Sequence, residues 1–398
     1  MPLTPIVVAA NARVRNTGLM VAGLSLLDLA QWLVAFFVIV FSLRRLILVA
    51  AASMPRRKTG GGILPSVVVV SALRNEEGNL PGLLDSLSRL DYPPDKLRFV
   101  FVDDASRDST GAILLSWAAG PRNALCLPSA VQQGKARALN RAIEAAPEAE
   151  LIAVYDADLR PQPGSLAVLA AAFQDPRVGA VAGYRRPVNP AFTPVTVYGA
   201  LESFVHQLVT QAGKERLNLN PTTLGGNCVY RRSALIPLGG FPPGAFSEDI
   251  EVSLALVGAG WRTRFLPEAV ATCVLPASLP RFWNQRARWT RGMYASAKRA
   301  SRLESLLVSA GYADRLVFLA ATGLAAARRT GWLWPALYLL ASLIAVVTAL
   351  VRARAGAALV ARMALWILPM FAVDVAATAM ATLKTALRRP LVWKTGAG

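Results

Sequence analysis

Three long apolar stretches constrain the fold of this chain more than any other feature. Residues 19–43, 331–351 and 355–383 are each long enough to cross roughly 30 Å of hydrocarbon as a helix. Hydrophobic residues make up 54% of the chain and charged residues only 17%, which is too apolar for an ordinary soluble enzyme. The first stretch is too long for a secretory signal peptide. The sequence therefore predicts a multi-pass membrane protein.

Basic residues are concentrated beside these stretches. The formal net charge is +19, and more basic residues follow the first stretch than precede it; those that follow are Arg44, Arg45, Arg56, Arg57 and Lys58, against Arg13 and Arg15 before it. By the positive-inside rule, the region after the first stretch is cytoplasmic. A soluble nucleic-acid-binding patch would not be distributed around apolar helices. We therefore expect membrane lipids and a phosphorylated substrate as partners, and no nucleic acid.

Residues 306–327 decide the number of C-terminal crossings. The segment is apolar but contains Asp314 and Arg315, so we predict that it is interfacial or re-entrant rather than a further span. Two crossings, through 331–351 and 355–383, would return the basic residues between 384 and 394 to the cytoplasm. The predicted localisation is the cell inner (plasma) membrane, multi-pass, with the central region cytoplasmic.

The central region has the pattern of an α/β domain. Short β-rich runs at 66–73, 98–103, 124–127 and 151–156 are typical of strands buried on both faces of a parallel sheet. Amphipathic helices fit between them, one with Asn79 as its N-cap and another over 135–145. We predict four parts: an N-terminal transmembrane helix with a basic loop (1–58), an α/β domain (59–276), interfacial helices (277–330) and C-terminal transmembrane helices (331–398). Ligands of such sheets bind beyond the carboxyl ends of the strands.

Carboxylates follow two of the predicted strands. Asp103 and Asp104 end the second strand, where a nucleotide could bind, although they could equally cap the next helix. Asp156 and Asp158 end the fourth strand and offer two hard oxygen ligands, suited to Mg²⁺ or Mn²⁺, although such pairs also occur by chance. Lys135 follows a glycine at a helix start, which is a natural place for a phosphate contact.

Two later motifs supply a candidate base and a candidate phosphate-binding helix. Glu248 and Asp249 begin an amphipathic helix; the helix dipole alone favours acidic residues there, but a rigidly held carboxylate could also deprotonate a hydroxyl. The motif QRARW, residues 285–289, fits an interfacial helix and also a lid over an active site. His206 is the only histidine, and the three cysteines have no Cys-x-x-Cys spacing. Carboxylates must therefore do the acid–base chemistry, and no zinc site or disulfide is predicted.

In this ordered set of motifs the chain resembles the membrane-bound, processive-type family 2 glycosyltransferases, which include cellulose, hyaluronan and poly-N-acetylglucosamine synthases. The likeness covers about residues 66–298. It implies a GT-A (Rossmann-like) α/β catalytic domain with flanking transmembrane and interfacial helices. It also implies an inverting, metal-dependent hexosyltransferase that uses a nucleoside-diphosphate sugar, a UDP-sugar above all, with Mg²⁺ or Mn²⁺.

The resemblance further implies roles for individual residues. The nucleotide-binding set is Glu76, Asp103, Asp104, Lys135 and Asp156. Asp158 binds the metal, and Asp249 is the general base. The residues that contact the acceptor and the diphosphate are Glu248, Gln285, Arg286, Arg288 and Trp289. Residues 223–232 are similar to the family's acceptor-side loop. Ala72 stands where the family has a proline, and this departure affects the geometry of the pocket for the nucleotide base.

The acceptor remains open between two classes. The QRARW motif favours a growing polysaccharide, with accessory export proteins as partners. The small number of predicted spans favours a membrane lipid instead. A non-catalytic membrane scaffold is a third alternative, and the intact set of carboxylates argues against it.

Overall fold

The structure, a computed structural model, describes residues 25–55, 62–120, 123–223, 225–245, 247–297 and 302–387. Several basic residues used in the topology prediction lie outside these ranges: Arg13, Arg15, Arg56, Arg57, Lys58 and those between 388 and 394.

The central domain is built on one mixed sheet with the strand order β3-β2-β1-β4-β7-β6-β8-β5. The strands are β1 (Val67–Leu73), β2 (Leu97–Asp103), β3 (Ala124–Pro128), β4 (Leu151–Val154), β5 (Arg160–Pro161), β6 (Val178–Pro187), β7 (Cys228–Arg231) and β8 (Arg262–Cys273). The first four strands are mutually parallel, and β7 runs antiparallel to its neighbours β4 and β6. These four strands lie where the apolar runs predicted them, which confirms the α/β prediction.

Helices connect the strands and extend the chain beyond the sheet. The helix α1 (Leu26–Ser53) precedes the domain. Within the domain the helices are α2 (Leu80–Ser88), α3 (Thr110–Ala118), α4 (Lys135–Glu144), α5 (Ser165–Ala171), α6 (Pro194–Phe204), α7 (Ala212–Arg216), α8 (Arg232–Leu235) and α9 (Glu248–Gly258). A π-helix, Val205–Gln211, joins α6 to α7. Short 3₁₀ turns cover Pro94–Lys96, Ala172–Gln174 and Ile236–Leu238. The C-terminal helices are α10 (Leu279–Ala297), α11 (Arg302–Arg328), α12 (Leu333–Ala353) and α13 (Ala357–Ala386).

Each face of the sheet has its own apolar core, because successive side chains of a strand point to opposite faces. On one face Phe101 packs in a cluster with α2, α3 and α5. On the other face Val102 packs in a cluster with α4, and this cluster continues to Ala52 of α1 and Ala349 of α12. The α/β domain and these long helices therefore share one core.

Within the described residues, three helices are long and apolar enough to cross a membrane, namely α1, α12 and α13. The predictions for α12 and α13 agree with the structure to within a few residues. The prediction for α1 was less accurate. Ser25 caps its start and the helix continues to Ser53, so Arg44 and Arg45 lie inside the helix rather than in a loop after it. The arginines interrupt the apolar run, but Arg45 is paired, with its Nη2 2.6 Å from Asp314 Oδ2.

The α11 helix is continuous over 27 residues, so the re-entrant alternative for 306–327 was wrong. It runs antiparallel to α1, because Arg328 Nη2 lies 2.6 Å from Asp28 Oδ1 at one end and Asp314 pairs with Arg45 at the other. The part of α11 between these two ion pairs is about 21 Å long at 1.5 Å per residue. The ion pairs thus hold α11 beside α1 over much of a membrane thickness.

The last two helices take different positions. The α12 helix ends beside the end of α1, where Arg352 Nη1 donates to the Ala52 carbonyl oxygen at 2.7 Å. The α13 helix packs instead against α6 and α10. There Asp374 is fully buried and accepts a hydrogen bond from the Tyr198 hydroxyl of α6 at 2.8 Å. The α13 helix is thus fastened to the α/β domain at its middle.

Candidate active site

The carboxyl ends of the parallel strands meet at one edge of the sheet, as predicted. Asp104, directly after β2, accepts hydrogen bonds from the Gln133 N–H at 2.7 Å and from the Gly134 N–H at 2.9 Å. Gly134 has φ +90°, which a glycine adopts without strain. The carboxylate thereby fixes the turn that presents Lys135 at the start of α4.

The hydrogen bonds after β2 show whether Asp103 and Asp104 cap the next helix, α3. Asp103 Oδ1 accepts from the Ser106 N–H at 3.0 Å, in the loop before α3. The N–H of Thr110 at the start of α3 donates to Asp108 Oδ1 at 3.0 Å. Asp108 therefore serves the helix end, while Asp103 and Asp104 hold loops at the strand ends, and their contact with a nucleotide stays a prediction.

Lys135 joins two of the acidic motifs. Its Nζ lies 2.8 Å from Asp156 Oδ1 and 2.8 Å from Glu248 Oε1. Burial opposes the charged ammonium, but the two carboxylates outweigh it and raise the pKa of Lys135. Burial alone would also raise the pKa of Asp156, yet Lys135, followed by Arg185 and Arg288, lowers it. Lys135, Asp156 and Glu248 are far apart in the sequence but thus form one cluster of charged side chains.

Asp249 has the properties of a general base. Desolvation, followed by the adjacent charge of Glu248, raises the pKa of its carboxyl to about 6. Its backbone is held rigidly, since the hydroxyls of Thr223 and Ser253 each donate to the Asp249 carbonyl oxygen at 2.9 Å. A carboxylate that is ionised near neutral pH and yet basic enough to accept a proton is suited to deprotonating a hydroxyl.

A glycine lies between the candidate base and the Asp156 carboxylate. A Cβ at Gly225 would be 3.5 Å from Asp249 Oδ2, 3.6 Å from Asp156 Oδ2 and 3.9 Å from Arg185 Nη1. Gly225 also has φ +83°, which disfavours any other residue. The absence of a side chain keeps open a space that is bordered by two carboxylates and a guanidinium, within reach of a small polar ligand.

The donor groups at the predicted metal site are carboxylates. Within the described residues no three His, Cys, Asp or Glu side chains are grouped closely enough to hold a metal ion by themselves. Asp158 and Asp156 are nevertheless close: desolvation, and then the charge of Asp156, raises the pKa of Asp158. Desolvation, and then the charges of Asp158 and Asp156, also raises the pKa of Glu76. Mutually repelling carboxylates of this kind fit a divalent cation whose remaining ligands come from a diphosphate.

The prediction that Asn79 begins α2 is confirmed. Asn79 is the N-cap residue, but its side chain makes no capping hydrogen bond. Its Nδ2 instead donates to Glu76 Oε2 at 2.8 Å, which holds the Glu76 carboxylate toward the other acidic residues.

The QRARW motif lies on α10, and its two arginines face different surroundings. Arg286 is buried and forms ion pairs with Glu202 of α6 and Asp374 of α13. Its guanidinium also lies 5.0 Å from the centre of the Trp289 ring. Arg288 is close enough to Asp156 for its charge to lower the pKa of that carboxyl. The structure thus places Arg288 toward the acidic site and Arg286 toward the helices; Gln285 lies half-buried on the same helix.

Arg185 was not predicted from the sequence as a site residue. It lies near the end of β6, in a pair of adjacent arginines, and its place beside Asp156 and Asp249 depends on how β6 and β7 pair in the sheet. The only signal in the sequence was a pair of basic residues directly after an apolar run, at the position where the other strands carry carboxylates.

Residues 66–239 match the model of the family described as Glycosyl transferase family 2. This segment is a family 2 glycosyltransferase domain. The chain is 32% identical over 233 residues to "Probable glycosyltransferase YdaM" of Bacillus subtilis, covering 58% of this chain and 55% of that protein. It is 31% identical over 255 residues to an N-acetylglucosaminyltransferase of Mesorhizobium japonicum, covering 60% and 58%. The chain thus spans little more than half the length of these curated relatives.

A solved structure resembles the chain over a longer range. It is the mannosyltransferase PcManGT from Pyrobaculum calidifontis, in complex with GDP-Man and Mn²⁺; the likeness has a TM-score of 0.64, 22% identity, and covers 92% of this chain and 100% of that chain. At this identity the likeness shows the fold. It confirms the predicted GT-A α/β architecture, including helices beyond the sheet.

Proposed function

We propose that this protein is an inverting glycosyltransferase that moves a sugar from a UDP-sugar to an acceptor hydroxyl. The observation that carries the proposal is the arrangement around Gly225, where a carboxyl with a pKa of about 6, Asp249, borders the same space as the Asp156 carboxylate. A base placed beside the donor-binding carboxylates is what a single in-line displacement at an anomeric carbon needs.

The proposed reaction is one step. Asp249 takes the proton from the acceptor hydroxyl, and the acceptor oxygen forms a bond to the anomeric carbon of the sugar. The bond between that carbon and the diphosphate oxygen breaks, and its electron pair leaves with the nucleoside diphosphate. Because attack and departure occur on opposite faces, the anomeric configuration inverts.

The negative charge of the departing diphosphate has to be neutralised. Asp158, with Asp156 beside it, would hold a divalent Mg²⁺ or Mn²⁺, which supplies charge stabilisation to the diphosphate when bound. Lys135 and Arg288 add fixed positive charge next to Asp156. Glu248 holds Lys135 in place through their ion pair. Arg286 and Trp289 fasten α10, which presents Arg288, so we propose a positioning role for both.

The acceptor we propose is a hydroxyl of a glycan, with a membrane lipid as the second candidate. The likeness to N-acetylglucosaminyltransferases supports N-acetylglucosamine as the transferred sugar and makes UDP-N-acetylglucosamine the first donor to test. The long apolar helices that share a core with the α/β domain support a site at a membrane surface, which we propose is the cytoplasmic face of the inner membrane.

The test is a donor panel. Purified protein in lipid vesicles is incubated with radiolabelled UDP- and GDP-sugars, and the label is separated into polymer, lipid and free sugar. We expect one UDP-sugar to label polymer or lipid. Label that appears only as free sugar, or no turnover with any donor, would contradict the proposal.

A further inference from the structure

The guanidinium of Arg160 joins two turns that carry carboxylates of the candidate active site. Arg160 begins the two-residue strand β5, which pairs with β8 so that Arg160 lies opposite Thr272. This pairing fixes the main chain of Arg160, and its side chain is half-buried beside the turn that follows β4. The proposed transfer step gives Arg160 no role.

One nitrogen of this guanidinium holds the turn that carries Asp158. Within the turn, the Leu159 N–H donates to the Asp156 carbonyl oxygen at 3.1 Å. Arg160 Nη1 donates to the carbonyl oxygens of Ala157 and Leu159, each at 2.8 Å. These two carbonyl groups belong to the residues on either side of Asp158, so the hydrogen bonds fix the main chain from which its carboxylate projects.

The other terminal nitrogen holds the turn that carries Glu76. Arg160 Nη2 donates to the Asn79 carbonyl oxygen at 2.8 Å. Asn79 is bonded to Glu76 twice, since its N–H donates to the Glu76 carbonyl oxygen at 3.0 Å and its Nδ2 donates to Glu76 Oε2 at 2.8 Å. The strands β1 and β4 are neighbours in the sheet, so the two turns leave it side by side. One rigid, planar group therefore links the turn of Glu76 to the turn of Asp158.

The helix α2 leaves room for this guanidinium. A Cβ at Gly82 would lie against Arg160 Nε and only 2.7 Å from Arg160 Nη2, which is closer than a Cβ approaches a non-bonded atom. Glycine inside a helix is less stable than alanine. The glycine in α2 thus weakens the helix, and the space that it leaves is filled by the Arg160 side chain.

The hydrogen bonds of Arg160 leave the carboxylates available to a cation. In the described part of the chain, its three side-chain hydrogen bonds all end on main-chain carbonyl oxygens, and none ends on Glu76 or Asp158. A guanidinium bonded directly to a carboxylate would occupy oxygens that a divalent cation needs. Arg160 therefore fixes the positions of both acidic residues without occupying their oxygens.

We propose that Arg160 is a positioning residue that sets the separation of the Glu76 and Asp158 carboxylates, and thereby the affinity of the site for a divalent cation bound with a nucleoside diphosphate. Replacing residues that orient metal ligands from behind typically changes metal affinity by about 10- to 100-fold. The inference rests on the proposed function in one respect, namely that Asp158 holds the divalent ion.

The experiment measures the binding of Mn²⁺ to the full chain in detergent micelles at saturating UDP. Free Mn²⁺ is followed by its electron paramagnetic resonance signal, so the measurement needs no turnover. The variants are Arg160→Gln and Gly82→Ala, alone and combined. The thermal unfolding midpoint of each protein is recorded on the same preparation.

The matched control is Arg231→Gln. Arg231 is also half-buried, and it also donates to three main-chain carbonyl oxygens, those of Phe173, Asp175 and Val178. It lies at the opposite edge of the sheet, because it pairs with Leu151 at the start of β4. The control therefore removes the same kind of contact away from the carboxylates.

We expect Arg160→Gln to weaken Mn²⁺ binding by at least about tenfold, whereas Arg231→Gln leaves it unchanged, although both substitutions lower the unfolding midpoint. Gly82→Ala should also weaken Mn²⁺ binding, because its methyl group displaces the guanidinium. In the Arg160→Gln background the same substitution should have no further effect on Mn²⁺. A general loss of stability would not produce this pattern.

Mn²⁺ binding by Arg160→Gln with wild-type affinity would overturn the inference and leave the proposed function standing. Additive effects of the two substitutions would also overturn it, since Gly82 would then act without Arg160. If Arg160→Gln does not fold, wild-type affinity in Gly82→Ala would overturn it instead.

The proposed function fails in a different way. A wild type that binds no Mn²⁺ with UDP would overturn the inference together with the metal of the proposed function. Mn²⁺ binding that depends on Arg160, in a protein that transfers no sugar from any donor, would contradict the proposed function alone.

Discussion

The pKa of Asp249 gives the active site a measurable pH dependence. Desolvation, and then Glu248, raises this pKa to about 6, and the base works only when it is ionised. The transfer rate at saturating donor should therefore rise with pH through about 6 and fall away below it as the carboxyl becomes protonated. A pH series of initial rates measures this. A rate that is flat through that region would show that Asp249 does not titrate in the reaction.

Asp158 makes a second prediction at the residue scale, because it is proposed to hold the divalent ion. Asp158→Ala should abolish transfer, and a chelator should abolish wild-type transfer reversibly on readdition of Mg²⁺ or Mn²⁺. Asp85→Ala is a suitable control, since Asp85 is an exposed carboxylate paired with Arg89 on α2. Full wild-type activity in excess chelator would mean that the Asp156–Asp158 pair is only structural.

The individual carboxylates were accessible to sequence reasoning because each follows a strand, and parallel strands bring their carboxyl ends to one edge. The contacts between Lys135, Asp156 and Glu248 could not be predicted from the sequence, because they join segments that only the folded sheet brings together. Arg185 was missed for the same reason. Its neighbours are set by the pairing of β6 with β7 and β8, which no local pattern specifies.

At the scale of elements, α10 directs Arg286 and Arg288 to different surroundings. The two are two residues apart, so their side chains leave the helix about 200° from each other. Arg286→Gln should leave Asp374 and Glu202 with one cation fewer, while Arg315 still pairs with both, and cost about 1–3 kcal/mol of stability. Arg288→Gln should keep the unfolding temperature and reduce transfer at least about tenfold. Thermal unfolding and transfer rates, measured on both variants, test whether Arg286 acts on stability and Arg288 on transfer. Equal effects of the two substitutions on both quantities would disprove it.

The strands and most helices were predictable because apolar periodicity is a local property. The first and last residues of α1 and the continuous helical structure of α11 could not be predicted in this way. Charged residues inside an apolar run suggest an end or an interface, and only the three-dimensional structure shows that Arg45 and Asp314 neutralise each other. Arg315 is likewise paired, with Glu202 at 2.8 Å and with Asp374 at 2.5 Å.

At the scale of the whole molecule, the contacts between helices favour one set of membrane-crossing helices, and the count of basic residues in the sequence favoured another. The α11 helix runs antiparallel to α1 and α12 returns beside Ala52, so we propose that these three helices cross the membrane, although α11 is less apolar than the three helices that could cross by length and composition alone. The α13 helix, fastened through Asp374 to α6, would then lie along the membrane surface. This arrangement still has two C-terminal crossings, but they are α11 and α12.

Cysteine labelling distinguishes the two arrangements. Single cysteines are placed at Trp332 and Ala353 in a variant that lacks Cys126, Cys228 and Cys273, and intact cells receive a membrane-impermeant thiol reagent. The proposed crossings predict labelling at Trp332 and none at Ala353, which lies at the end of α12 near the α/β domain. Labelling at Ala353 alone would restore the crossings through α12 and α13.

The central claim is that Asp249 is the base of a sugar transfer, and one substitution tests it most directly. Asp249→Asn keeps the size and shape of the side chain but removes its basicity. With donor affinity and transfer rate measured on the same preparation, we expect unchanged donor binding and a rate lower by at least about 10²-fold. A variant that binds donor normally and transfers sugar at the wild-type rate would contradict the claim.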